Sequence, residues 1–509
     1  MRLHESHRRT VVTAHSAGVT WGLRLVVAYL GVAVVLLSLD VVAGGPGDLD
    51  TLLAMQPAAA VLGACIVACY QPGWGIVLSP LRPLPIFSLF YALYFPLPYL
   101  ADLWMRGVSQ DHLGEIGTLY ALGYVSFCGG MWYTTRSTGA ATEERQSLPS
   151  LRRHQVGALA AVVAVSLVVF AYDMVWRNAH GYFYTHGNGM MLGTSSTDSL
   201  ISFAEGVPLP TILIAGLLAA SVEGRAGRFL KYGLWMLGAV TTVTYVLASE
   251  TRPAAMALLF TVMAAGLGRS PRISLPRAAV VLGTLLSVAA LIQGIRIAAA
   301  PAYSSAGNQL GYSLVNTLPA GLQGLEGASG GVSADVAARA SSGTFYLGQL
   351  IDATSDGQYL YGAGVTAALP GVVPRVAWPD KPVLGDPQVI DSRLLGIPVV
   401  DHALTPIGQF YAEGGTIGVV AGMLLYGALF GLIVRLAATS RSVYAWIVLA
   451  YVLSSVIQLE LDAAQSFLLA LRAAVLVSLL YAVIQFYLRG VTLSFRHRGR
   501  SRYPRRADA

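Results

Sequence analysis

Apolar residues in this chain come in blocks long enough to cross a lipid bilayer, and that limits its architecture before any motif is read. A hydrocarbon core about 30 Å thick takes about 20 apolar residues as a helix, and only helices or closed barrels satisfy their backbone there. Twelve such blocks fall near 24–42, 52–70, 84–104, 113–133, 156–176, 204–220, 231–248, 254–268, 278–298, 408–434, 443–459 and 464–488. The strict alternation of barrel strands is absent. The expectation is an all-α polytopic membrane protein of about 12 transmembrane helices. The chain is 55% hydrophobic with a mean hydropathy of +0.61, more apolar surface than a soluble core can hide.

Charge then orients the spans. With the N-terminus inside, 24 of the 33 basic residues fall in the segments that alternation places inside, which is the bias expected of cytoplasmic flanks. Both termini are therefore expected inside, and the formal charge of +7 implies no nucleic acid. The exceptions are Arg106, Arg177, Arg252, Arg296, Arg339, Arg375, Lys381, Arg393 and Arg472, which need separate reasons. Four regions follow: helices 1–9 over 1–298, a large external loop over 299–407, helices 10–12 over 408–488, and a basic cytoplasmic tail over 489–509. Cys65, Cys69 and Cys128 all lie in apolar spans and read as small packing residues.

The loop between helices 9 and 10 concentrates the chemistry. Charged residues are only 12% of the chain, yet this loop holds eight acids and four bases. Its stretch 332–354 reads as an amphipathic helix lying along the membrane, with Val336, Ala340, Phe345, Leu347 and Leu350 as its apolar face. Further on, Pro374-Arg375 and Trp378-Pro379-Asp380-Lys381-Pro382 alternate proline with charge, which describes a rigid irregular arm. Arginine forks suit diphosphate oxygens and lysine adds a point charge. Arg252, followed by Pro253 at a helix start, and Arg296 occupy outer span ends and can serve the same anion. The competing readings are head-group snorkelling for Arg252 and Arg296, and ion pairs of Arg375 and Lys381 with Asp380 and Asp386 that merely staple the loop. His402 can act as general base, with Asp401 or Asp391 setting its tautomer. Zincin, phosphate-loop and nucleophile-elbow motifs are absent, and no acidic pair in the loop has metal-binding spacing; no metal or cofactor is expected.

These features resemble the O-antigen and oligosaccharide repeat-unit polymerases, the Wzy family. The likeness rests on the helix plan with one late external loop, on Ser249-Glu250-Thr251-Arg252-Pro253, and on the run from Pro370 through Lys381-Pro382. It continues into Thr405-Pro406-Ile407-Gly408-Gln409-Phe410-Tyr411 and Gly414-Gly415. Gln409 stands where the family pattern commonly has an acid, and Glu413 is the substitute one turn later. The resemblance implies an enzyme of the bacterial inner membrane whose active site faces the periplasm. It would transfer a growing glycan from its undecaprenyl-pyrophosphate carrier to a new lipid-linked repeat unit. Arg252, Arg296, Arg375, Lys381 and Arg393 would hold the diphosphate, and His402 with Asp401 or Asp391 would take the acceptor proton. Membrane lipids and a chain-length regulator are the other implied partners. A ligase that moves finished glycan from the same carrier, or a twelve-helix transporter, remains open at this point.

Overall fold

The computed structural model describes residues 28–29, 32, 49–71, 75–77, 79–100, 112–136, 148–149, 151–179, 207–247, 251–267, 272–274, 343–373, 378, 389–396, 404–459 and 462–500. In chain order they form α1 (Leu49–Cys69), β1 (Tyr70–Gln71), β2 (Gly75–Val77), α2 (Leu84–Tyr94, continued to Leu100), α3 (Leu113–Thr135) and α4 (Arg153–Ala179). Then come α5 (Pro208–Ser221), α6 (Gly224–Leu247), α7 (Thr251–Gly266), β3 (Arg272–Ser274), α8 (343–353) and α9 (Ala363–Ala368). A 3₁₀ turn (Leu369–Val372), a π turn (Asp391–Leu395), α10 (Pro406–Ser440), α11 (Val443–Val456) and α12 (Ala463–Arg500) complete the list.

Ten of the twelve expected spans coincide with these helices; 278–298 and almost all of 24–42 lie outside the described residues. Arg153–Tyr172, Pro406–Ser440 and Ala463–Gly490 are long and apolar enough to cross a membrane, and five more helices are apolar but shorter. Large apolar side chains stay exposed along whole faces, as at Phe229, Tyr232, Met236, Val240 and Val243 on α6 and Leu425, Leu429, Leu432 and Leu436 on α10. Soluble monomers rarely expose contiguous apolar surface of this kind. A membrane protein accounts for it.

The interior is aromatic. Phe87 of α2 stacks on Phe127 of α3 at 3.7 Å, and Phe127 meets Tyr426 and Phe430 of α10 at 5.8 and 6.2 Å. Tyr426 continues to Phe467 of α12 at 5.9 Å. The tightest pairing is α3 against α10, where glycines let the backbones touch. A Cβ on Gly130 would collide with the Leu424 carbonyl and sit 2.8 Å from Ala428 N, and one on Gly427 would collide with the Phe127 carbonyl. Small residues four apart, such as Gly427 and Gly431, are the usual means of such approach.

Two polar ends bracket this bundle. Three short antiparallel strands close one of them, a departure from the purely helical expectation: Tyr70 pairs with Ile76, and Ile76 with Ile273. From this end α2 runs about 25 Å, at 1.5 Å per residue, to the other end, where the Tyr99 hydroxyl donates to the Leu113 carbonyl at 2.7 Å as α3 begins.

Helix α8 corrects one expectation. Thr344, Leu347, Leu350, Ile351 and Thr354 are buried, whereas Phe345 is 56% exposed. Phe345 lies two residues from Leu347, about 200° around a helix, so the two cannot share a face. Val336 and Ala340 lie outside the described residues.

Candidate functional site: a polar cap on the bundle

The far end of α2 gathers the starts of α3, α10 and α12 together with α8, α9 and the π turn. Helix α10 opens on Thr405, whose hydroxyl accepts from Gly408 N at 3.1 Å, with Pro406 in the first turn where its missing N–H costs nothing. After eight residues the helix breaks. Gly414 is extended and Gly415 sits at φ +61°, where an added Cβ would also lie 2.8 Å from the Tyr359 hydroxyl. The break turns Pro406–Glu413 back on the rest of α10, so Phe410 packs where side chains on Gly418 or Gly422 would stand.

The free carbonyl end of that half-helix is capped from the loop. Ala412 and Glu413 carbonyls accept from Leu360 N and Tyr361 N at 2.9 and 3.1 Å. The Glu413 carboxylate accepts from Gly362 N and, at 2.9 Å, from Val365 N. Glu413 is thus committed to tying α9 to α10. Gln409, at the position where the resemblance favours an acid, is fully buried, and its Oε1 accepts from Ala463 N and Ala464 N at 2.7 and 3.1 Å. Its amide caps the start of α12, and its Nε2 has no partner among the described residues.

A second group joins α3 to the loop. His112 Nε2 donates to Asp352 Oδ1 at 2.7 Å, His112 Nδ1 lies 3.8 Å from Glu115, and the Tyr411 hydroxyl donates to Glu115 at 3.2 Å. Tyr120 and Thr344 hydroxyls meet at 3.1 Å. The sequence reading passed over His112, Glu115, Asp352 and Gln349. Its only signal for the first two was a histidine and an acid three apart at a span start.

Asp462, just before α12, is nearly buried and accepts from Gln465 N at 2.6 Å. Burial pushes its carboxyl up to about 6, against the lowering effect of the backbone donors of Gln465 and Ser466. A carboxyl whose folded-state value is raised binds more protons folded than unfolded. Its contribution is therefore complete below its ordinary value and is lost as pH rises to about 6. Asp462→Asn keeps an oxygen for the Gln465 cap and removes the charge. It is expected to raise stability at pH 8 by on the order of 3 kcal/mol and to flatten the slope between pH 4 and 6. Thermal unfolding across that range checks this; an unchanged slope in the variant would be the adverse result.

Of the residues expected to carry the reaction, Asp391 and Arg393 are described with their side chains, both in the π turn. Asp391 is 1% exposed, with Oδ1 accepting from the Tyr346 hydroxyl at 2.8 Å and Oδ2 without a partner among the described residues. Arg393 is exposed. Arg252 lies in the first turn of α7, beside Pro253, as a helix start requires. Arg296, Arg375, Lys381, Asp401 and His402 lie outside the described residues. Among the described residues, no group of three or more His, Cys, Asp or Glu is arranged to hold a metal ion. The chain matches no protein-family model, no curated protein and no solved structure.

Proposed function

We propose that this protein is a polymerase of polyprenyl-pyrophosphate-linked oligosaccharide repeat units, acting at the outer face of a bacterial inner membrane. One observation carries the reading. The sequence segment bearing Arg375, Lys381, Asp401 and His402 is flanked by Val373 and Leu404, and its described part between them includes the π turn at Asp391–Leu395. Both anchor points belong to the polar cap: the 3₁₀ turn before Val373 packs on α12, and Leu404 precedes the Thr405 cap of α10. In a chain so poor in charge, the described parts of the segments read as external, at His112, 343–373, 389–396, 404–405 and Asp462, meet at one end of the bundle. The strand end is supplied by 70–77 and 272–274, which the same alternation assigns to the cytoplasm. This partition supports twelve spans with both termini inside.

In this reading Arg252, Arg296, Arg375, Lys381 and Arg393 stabilise the diphosphate as its charge develops on leaving. His402, oriented by Asp401 or Asp391, removes the acceptor hydroxyl proton while that oxygen attacks the anomeric carbon. The bond to the diphosphate breaks and its electron pair departs with the carrier. The donor is already activated, so the chemistry needs no nucleotide sugar. A glycan gel from a deletion strain tests the proposal. One-repeat product alone is the expected result. Polymer confined to the carrier would mean the ligase instead, and an unaltered ladder would sink both.

A further inference from the structure

Unmet hydrogen bonding concentrates on one helical hairpin. Nine buried side-chain nitrogens or oxygens have no partner among the described residues, and six belong to α11 or α12: Trp446, Tyr451, Ser455, Gln465, Ser478 and Tyr481. Buried polar groups rarely stay unpaired, so a cluster of them points to something that fills it. Four of the six face one another. Tyr444 of α11 donates to Gln485 Oε1 of α12 at 3.3 Å, and its ring meets that of Tyr481 at 5.3 Å, which fixes the facing sides. Tyr451 and Ser455 lie about two and three turns beyond Tyr444, and Ser478 about two turns before Gln485. Trp446, Gln465 and Arg472 stand on the far sides of their helices, about 160–200° around from Tyr444 or Tyr481.

This lining selects its ligand. Tyr451, Ser455, Ser478 and Tyr481 offer hydroxyls, each able both to donate and to accept. Metal cations and anions find no opposite charge there, since α11 contains no charged residue. Water fits, and buried water commonly binds through about three hydrogen bonds to groups otherwise unmet. The connector of the hairpin carries Asp462, and α12 climbs about 28 Å from there to Tyr481, against a hydrocarbon core of about 30 Å. Burial pushes the Asp462 carboxyl up to about 6, so it changes charge near working pH. Among the described side chains around it, α10 presents Tyr426, and its Glu413 is held by α9. Helix α9 and the 3₁₀ turn bring no charge, and α4 brings Arg153 and His154 at the Leu488 end, with Tyr172 exposed. Ionisable groups inside membrane bundles commonly serve as proton relays. We propose that the α11–α12 hairpin is a proton path, in which bound water links these hydroxyls and Asp462 takes up and releases the proton beside the polar cap. At each step one O–H bond forms as another breaks, so a proton moves down its gradient and nothing is consumed. The path does not rest on the polymerase reading.

The test uses purified full-length protein in lipid vesicles that enclose a pH-sensitive dye, with a potassium gradient and valinomycin setting the potential. Proton entry is expected to exceed that of protein-free vesicles. Asp462→Asn is expected to return it to the protein-free level, and that variant folds at least as well as the parent, so the loss is not unfolding. Tyr451→Phe and Ser478→Ala each remove one hydrogen-bonding link and are expected to slow entry by about fivefold. Entry no faster than in protein-free vesicles, or parental entry in Asp462→Asn, overturns the path. A second measurement reads the water directly. X-ray pulses turn bound water into hydroxyl radical, which labels the side chains beside it. Tyr451 and Tyr481, both buried, are expected to be labelled; unlabelled rings mean a dry hairpin and overturn the path as well.

Discussion

Gly130→Ala lowers thermal stability, whereas Gly129→Ala, one residue earlier on the same helix, raises it. A methyl on Gly129 meets only Leu424 Cδ1 at 3.8 Å, an ordinary contact. Exchanging glycine for alanine there gains helix propensity of about 1 kcal/mol. A methyl on Gly130 runs into the Leu424 carbonyl and the Ala428 amide of α10. Backbone cannot swing aside as a side chain can, so α3 and α10 must separate. Separation also loosens the stack of Phe87, Phe127 and Phe430, and overpacking alone costs about 1–3 kcal/mol. Gly130→Val, with two further methyls, is expected to leave no monodisperse protein in detergent. Thermal unfolding of the two alanine variants, with size-exclusion profiles, reads the opposite signs; equal shifts would mean that the helices are not in backbone contact.

On the polymerase proposal, Arg252→Ala and Arg375→Ala are each expected to abolish long-chain glycan while the protein still inserts and accumulates normally. Removing one donor aimed at developing charge in a water-poor site costs about 100- to 1,000-fold in rate. Polymer length depends on many successive transfers, so losses of that size leave only short products. Membrane-fraction blots confirm insertion and gels report chain length. Full-length ladders in both variants would remove the arginines from the reaction.

The ten helix positions that fall among the described residues were legible because block length and apolarity are local properties. The start of α7 at Thr251-Arg252-Pro253 and the Thr405 cap of α10 could also be read, since proline and hydroxyl caps act within one turn. Contacts between distant segments could not. Gln409 meets α12 across 54 and 55 residues, and His112 meets Asp352 across 240. Nothing near Gln409 in sequence says that its oxygen will meet two amides of another helix. Nor does the spacing around Glu413 show that its carboxylate is consumed in joining α9 to α10. Phe345 misled for a different reason, since hydrophobicity was counted without its angular position. The strands escaped notice because pieces of two or three residues leave no period to detect. For the site itself, Asp391 shows the gap best. Its acidity suggested a partner for His402, while its burial against Tyr346 depends on α8 folding across it.

The break at Gly414-Gly415 also settles a question of length. Unbroken, the 35 residues of α10 would form a rod about 52 Å long, at 1.5 Å per residue. Matching that to a hydrocarbon slab about 30 Å thick would demand a lean of about 55°, beyond the 0–40° that membrane helices show. Once Pro406–Glu413 folds back, the remaining stretch to Ser440 is about 37 Å, which fits with ordinary inclination. Mismatch with the lipid is relieved inside the protein, and the bilayer need not thicken around it.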